Sequence, residues 1–346
     1  MSETITRQAA SPQPEGDRGK KPGGAEPKDW RSIAKRQLQQ SLAFGALIIL
    51  FVFFSLASPN FLTWSNVSGI LLSTAVIGIM ALGTTFVIIT GGIDLSIGTG
   101  MTLSAVMTGL LVVNFGLPVW MGVLGGVATG ALIGLVNGLN VAVLGLPPFI
   151  ATLAMMMMAQ GLALILSGVR PIYFSNVAPG FKDLAIGSLI PGLPNAVLIT
   201  ALLGIFAAFM LGKTLLGRYT YAIGSNEEAV RLSGVDTKKW KIMIYSFAGI
   251  FTGFAGVIIA ARLDSAQPQI GMGYELQAIA AVIIGGTSLM GGRGTILGTV
   301  IGALIMSVVI NGLRILSIQT EWQTVVVGIV ILLAVYADNL RSRQST

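Results

Sequence analysis

Asp94 is the only charged side chain between Arg36 and Arg170, and it sits in the run Thr90-Gly91-Gly92-Ile93-Asp94-Leu95-Ser96-Ile97-Gly98. An ionisable group inside so long an apolar stretch is a functional candidate, because burying a charge at membrane depth is costly. Gly91-Gly92 before it and a new helix after it make a local role equally sensible: a short carboxylate can accept from the orphan N–H groups of a helix start. The two roles are compatible if Asp94 holds a break in the bundle that moves. The chain has no Cys and no His. That removes thiol nucleophiles, disulfides, Cys/His metal sites and imidazole proton relays. Acid–base chemistry would have to rest on carboxylates or lysines, and few of these lie near the apolar runs.

A second set of polar residues falls in 213–241, which carries Lys213, Arg218, Arg231, Lys238, Lys239 and Lys241 together with Glu227, Glu228 and Asp236. Its middle reads as a short helix. Ser225 followed by Glu228 fits a capping box, Asn226 is the alternative N-cap, and Gly234 is placed to end the helix in a left-handed conformation. Glu227 and Glu228 then occupy the first turn, where the helix dipole favours carboxylates. Two turns of helix are not stable alone in water. The segment is therefore either a solvated loop with a capped turn or a helix that docks into a groove on a partner.

The elements that position these residues follow from composition. Of 346 residues, 53% are apolar, 10% are charged and 45 are glycine. A soluble domain carries about 25% charged residues, so the chain reads as an all-α, polytopic membrane protein. Long continuous apolar runs and abundant glycine suit a close-packed helical bundle rather than a barrel of short alternating strands. Spans are expected at about 42–57, 67–90, 97–115, 119–143, 149–167, 195–212, 242–261, 276–290, 295–312 and 322–337, each near the ~20 residues that cross a bilayer. The third and eighth, with a Gly-rich start and a short length respectively, are candidates for broken or re-entrant helices. Residues 1–36 read as a disordered cytoplasmic tail. The run 41–57 is read as a retained first span rather than a signal peptide, since its charged leader is long and further spans follow at once.

With ten spans and the N-terminus inside, 17 of the 21 Lys/Arg fall on the inner side, leaving Arg170, Lys182, Arg262 and Arg314 outside. Both termini and 213–241 are then cytoplasmic, and the net charge of +7 reflects orientation rather than a nucleic-acid partner. On the outer side Arg262, Asp264, Gln267 and Glu275 could form a charged dock for a soluble protein or an ordinary polar loop. Asn137, Asn140, Thr152 and Gln160 lie within spans and suit either a polar path or interhelical hydrogen bonds. Met155 to Met158 point all round a helix and read as soft packing. A weak echo links Gly98–Leu103 with Gly292–Leu297, and Gly130–Ile133 with Gly302–Ile305, as an internal repeat or as coincidence in Gly-rich helices.

Three stretches carry a specific resemblance: Thr90–Gly98, LGRYTYAIGSNEEAVRLSGV (216–235) and ARLDSAQPQIGMGYELQAIAAVIIGGTSLMGGRG (261–294). Together they resemble the ribose/monosaccharide-type permeases of bacterial ABC importers, over nearly all of 41–340. The resemblance implies a type II importer-like permease domain over 37–340, with 213–241 as its cytoplasmic coupling segment and 341–346 as a cytoplasmic tail. It implies a homodimer or heterodimer of permeases in the bacterial inner membrane, with a cytoplasmic ATPase subunit and a periplasmic sugar-binding protein as partners. Glu228-Ala229-Val230 followed by Gly234 is similar to the EAA-and-glycine core of permease coupling segments, although the trailing Leu-Pro of that pattern is missing. On that reading Asn226, Glu227, Glu228, Ala229, Arg231 and Gly234 face the ATPase, and Gly91, Gly92, Asp94, Ser96 and Gly98 form a signature loop.

No GxxxxGK[ST] run occurs in the chain, so the ATPase, with its ATP and Mg, is expected to be a separate polypeptide and this chain to carry no cofactor. The expected function is ATP-driven import of a neutral monosaccharide, ribose first, by alternating access and without covalent chemistry in this chain. The alternative is an ion-coupled secondary transporter, which would be expected to show ionisable residues within its spans. An intramembrane enzyme is a third class, weakened by the lack of His or paired carboxylates.

Overall fold

The computed structural model describes residues 30–343. Helix α1 runs Trp30–Ala57, α2 Trp64–Ile89, α3 Ile97–Gly109 with a π-helical turn over Leu110–Asn114, α4 Val119–Ala142, α5 Pro148–Ser167 and α6 Asn195–Lys213. After them come α7 Leu215–Leu232, α8 Thr237–Leu263, α9 Tyr274–Ile284, α10 Ile296–Ile315 and α11 Thr320–Arg343. Eight of these helices are long and apolar enough to cross a membrane, and Ala43–Ala57 and Tyr274–Ile284 are shorter apolar helices. The all-α reading holds, and the ten expected spans each overlap one of the ten apolar helices. Residues 1–29 of the expected tail lie outside the described residues, as do 344–346; residues 30–36 belong to α1.

The bundle is built around α2, α3 and α8, which are buried over most of their lengths, while α5, α6 and α11 present apolar side chains outward. Such outward apolar faces are what lipid requires. The tightest seam joins α4 to α8. Gly126, Gly130, Gly134 and Gly138 recur every fourth residue on α4, so they share one face. A Cβ at Gly130 would enter the backbone of Gly249 and Gly253; one at Gly138 would lie 2.8 Å from the Ile242 Cα. Lipid-soluble helices gain little from burying apolar surface against each other, and small residues let their backbones make the contacts instead. Polar ties complete the core: the hydroxyls of Thr85 on α2 and Thr299 on α10 are 2.7 Å apart, and Asn311 Nδ2 donates to Asn66 Oδ1 at 3.0 Å.

Three local expectations are corrected or refined. The eighth span is not a helix over 276–290. After α8 the chain turns at Asp264 (φ 51°), forms a two-residue strand β2 (Ser265–Ala266) antiparallel to β1 (Ile172–Tyr173), and runs back beside α3, where Gly271 N donates to Thr102 Oγ1 at 2.9 Å. Only then does α9 begin, and it stops at Ile284 because Gly286, Gly291 and Gly292 take positive φ. The short helix expected inside 213–241 is present with Asn226 as its cap and Gly234 at its end, and what the sequence reading did not mark is a helix directly before it. Leu216, Gly217, Thr220 and Ile223 recur at helical spacing and bury the first half of α7 against the bundle, before a break at Asn226 (φ −162°, ψ 96°). The echo, finally, does not describe one repeat. Gly98–Leu103 opens α3 and Gly130–Ile133 lies in α4, yet both counterparts fall at or within the single helix α10.

Candidate functional site

Asp94 lies in the loop between α2 and α3, and only 3% of it is exposed. Its Oδ1 accepts from Ser96 N (2.8 Å) and Ser96 Oγ (2.6 Å), while Asn137 Nδ2 on α4 lies 3.4 Å from both carboxylate oxygens and donates to Ser96 Oγ at 2.8 Å. Bonding the N–H two residues on is an Asx-turn, which short carboxylates favour. Ser96, not Asp94, is the residue immediately before the helix. Next to it Leu95 N donates to Thr152 Oγ1 on α5 at 3.1 Å, and Thr152 Oγ1 in turn donates to Pro148 O at 2.9 Å. The loop is thereby fastened to two other helices. Of the two uses open for Asn137 and Thr152, interhelical hydrogen bonding is the one their geometry shows.

Tyr245 on α8 completes this pocket and gave no signal in the sequence. It is 1% exposed, and a Cβ on Gly92 would stand 2.5 Å from its hydroxyl. Gly98 has a comparable reason: a Cβ there would enter the Glu275 carboxylate and the Gly271 carbonyl. The residues of the loop thus have different jobs. Gly91 adopts φ 77°, Gly92 and Gly98 make room, Ser96 donates, and Asp94 accepts.

From the end of α2 the structure leads directly to α7. Gly292 N donates to Ile89 O at 2.8 Å. A Cβ on Gly224 would enter that same Ile89 carbonyl, and one on Gly292 would lie 2.9 Å from Ser225 Oγ. Three backbone segments therefore meet beneath the kink: the end of α2, the loop 285–295 and the middle of α7. The Tyr221 hydroxyl adds a bond to Gly294 O at 2.8 Å, and Tyr219 packs on Trp240 with ring centroids 4.5 Å apart. Asp338 on α11 holds the same loop by accepting from Ser288 Oγ and Leu289 N.

Beyond the kink the second half of α7 stands clear of the bundle. Ser225 to Ala229 and Arg231 to Gly234 are exposed. Asn226 Oδ1 accepts from Ala229 N at 2.9 Å, so Asn226 is the cap and the Ser225–Glu228 capping box does not form. Gly234 ends the turn at φ 85°, and Asp236 caps α8 by accepting from Lys239 N. Glu228 pairs with Arg231 at 2.6 Å and Glu227 with Lys241 at 2.6 Å. The Glu228 carboxylate raises the Arg231 pKa above its ordinary value, first through the hydrogen bond and then through its charge. What this end offers a partner is a small, charged, pre-capped helix with Leu232, 78% exposed, at its tip.

Arg262, Asp264, Gln267 and Glu275 lie around the far end of α8, which at 27 residues places them about 40 Å from α7. They do not form one exposed patch. Arg262 donates to Ser73 Oγ at 3.2 Å, Glu275 is buried and accepts from Gly273 N, Asp264 is half-buried in the turn, and Gln267 is exposed. Among the described residues no group of three or more His, Cys, Asp or Glu could hold a metal ion.

Comparison with known proteins follows the same boundaries. No solved structure matches. The chain is 43% identical over 311 residues to the ribose import permease protein RbsC of Escherichia coli (strain K12), covering 89% of this chain and 96% of that protein. It is 43% identical over 305 residues to RbsC of Bacillus subtilis (strain 168), with 88% and 94% covered. It is 38% identical over 296 residues to the D-allose transport system permease protein AlsC of Escherichia coli (strain K12), with 86% and 90% covered. Over residues 66–335, from the start of α2 almost to the end of α11, it matches a family model, and the chain belongs to that family, described as the permease component of the branched-chain amino acid transport system.

Proposed function

We propose that this chain is the membrane-spanning subunit of an ATP-driven importer of a monosaccharide, with ribose the first candidate. The observation that carries this reading is identity of 43% to ribose permeases across nearly the whole chain; the family description names amino acids, whereas these relatives are named for sugars. On this reading the ATPase is a separate subunit that seats the second half of α7, the end of the bundle bearing α7 is cytoplasmic, and a sugar-binding protein approaches the end bearing Gln267. A second permease copy completes the path. The geometry supports the division of labour, because the only exposed capped helix in the charged segment sits directly on the backbone junction that leads to Asp94.

The test is reconstitution of the chain with its ATPase and binding protein in sealed vesicles. Labelled ribose uptake should require ATP and the binding protein and should survive collapse of ion gradients. Uptake by this chain alone, driven by a gradient, would overturn the assignment.

A further inference from the structure

The pocket around Asp94 contains a donor without a partner and an acceptor with spare capacity. Tyr245 Oη has no hydrogen-bond partner among the described residues, although the side chain is 1% exposed. On the other side, Asp94 Oδ1 takes both bonds from Ser96, whereas Oδ2 has only the long 3.4 Å approach of Asn137 Nδ2. A carboxylate can accept about four hydrogen bonds, so Oδ2 retains capacity. A buried donor left without a partner carries its desolvation penalty, so this hydroxyl gains from any conformation that gives it an acceptor.

The same hydroxyl abuts Gly92, two residues before Asp94, and the loop carrying both begins where Ile89 O accepts from Gly292 beneath Gly224. The middle of α7 is thus joined to this loop by backbone contacts at Gly224, Gly292 and Ile89.

We propose that Tyr245 is a positioning residue of the transport step: its hydroxyl bonds Asp94 Oδ2 in the alternate conformation, reached when α7 is moved, and so stabilises that conformation selectively. The proposal rests on the importer reading above. A group that favours one of two states shifts their populations by its differential interaction alone. One hydrogen bond present in one state only corresponds to about tenfold.

The experiment compares wild type, Tyr245→Phe, Asp94→Asn and the double variant in the complete reconstituted complex. Two readouts are taken: sugar uptake per ATP hydrolysed, and the thermal midpoint both without nucleotide and after trapping with ATP and vanadate. Tyr245→Phe should lower uptake per ATP about tenfold, keep or raise the nucleotide-free midpoint, and lower the trapped one. Asp94→Asn should lower uptake as well, and the double variant should be no worse than the poorer single one. Normal uptake by Tyr245→Phe overturns the proposal. So does an equal fall of both midpoints, which marks a hydroxyl that serves structure alone. If wild type shows no ATP-driven uptake, the importer reading itself falls and takes this inference with it; normal wild-type uptake with a silent Tyr245→Phe removes the inference only.

Discussion

At the scale of single residues, the role of Asp94 in the fold can be tested apart from transport. Its carboxylate satisfies the Ser96 N–H, the Ser96 hydroxyl and part of the Asn137 amide, all buried. Asp94→Leu strands these donors and should cost about 1–3 kcal/mol of stability, the desolvation price of unmet buried groups. Asp94→Asn keeps one oxygen for Ser96, and the Asn137 amide can turn over to present Oδ1, which has no partner now. Thermal unfolding in detergent should therefore rank wild type and Asp94→Asn close together and Asp94→Leu well below. An Asp94→Leu protein as stable as wild type would mean the hydrogen bonds at this loop carry no net weight. Asp94 stood out in the sequence by its isolation among apolar residues. Its partners were not: Asn137 and Tyr245 are 43 and 151 positions away, and only the packing of α4 and α8 brings them to the loop.

At the scale of elements, the two halves of α7 answer to different forces. The first is held by burial, the second by its cap and its terminal glycine. Asn226→Ala should lose about 1 kcal/mol of local helix stability, and Gly234→Pro cannot adopt the φ of 85° found there. Both should leave the midpoint of the whole bundle within a degree or two, since these residues bury almost nothing, while weakening ATPase capture and lowering uptake per ATP. Glu228→Lys should behave alike: the Glu228–Arg231 pair is 61–66% exposed, and such pairs contribute little to stability. Co-purification of the tagged permease with its ATPase measures this, and full capture by all three variants would remove the second half of α7 from the interface. Gly224→Val should do the opposite. Its side chain has no place beside Ile89 O and Gly292 N, so the fold itself should fail. Glycine is required at Gly234 by conformation and at Gly224 by proximity. Sequence reading identified the first, because a helix end is a local pattern; the second depends on where the loop 285–295 comes to rest.

At the scale of the whole molecule, the seam between α4 and α8 rests on glycines rather than on bulky interdigitation. Gly130→Leu should abolish recovery of folded protein from membranes, because α4 and α8 touch backbone to backbone there. Gly161 on α5 has open space where a Cβ would go, so Gly161→Ala should be neutral or stabilising by about 0.5–1 kcal/mol, the usual gain in a helix interior. Yield and monodispersity on size-exclusion chromatography separate the two outcomes.

The sequence by itself determined which segments are apolar enough to be spans and which charged segment stands apart from them. Each residue's preference for lipid or water adds independently along the chain, so these properties need no knowledge of the fold. The tertiary structure alone decided that a buried helix runs into Asn226 from the bundle, that an extended segment precedes α9, that Glu275 is buried rather than displayed, and that Tyr245 faces the Asp94 loop. Each of these is set by how closely two distant backbones can approach. That distance depends on both partners at once, and neither stretch of sequence contains it.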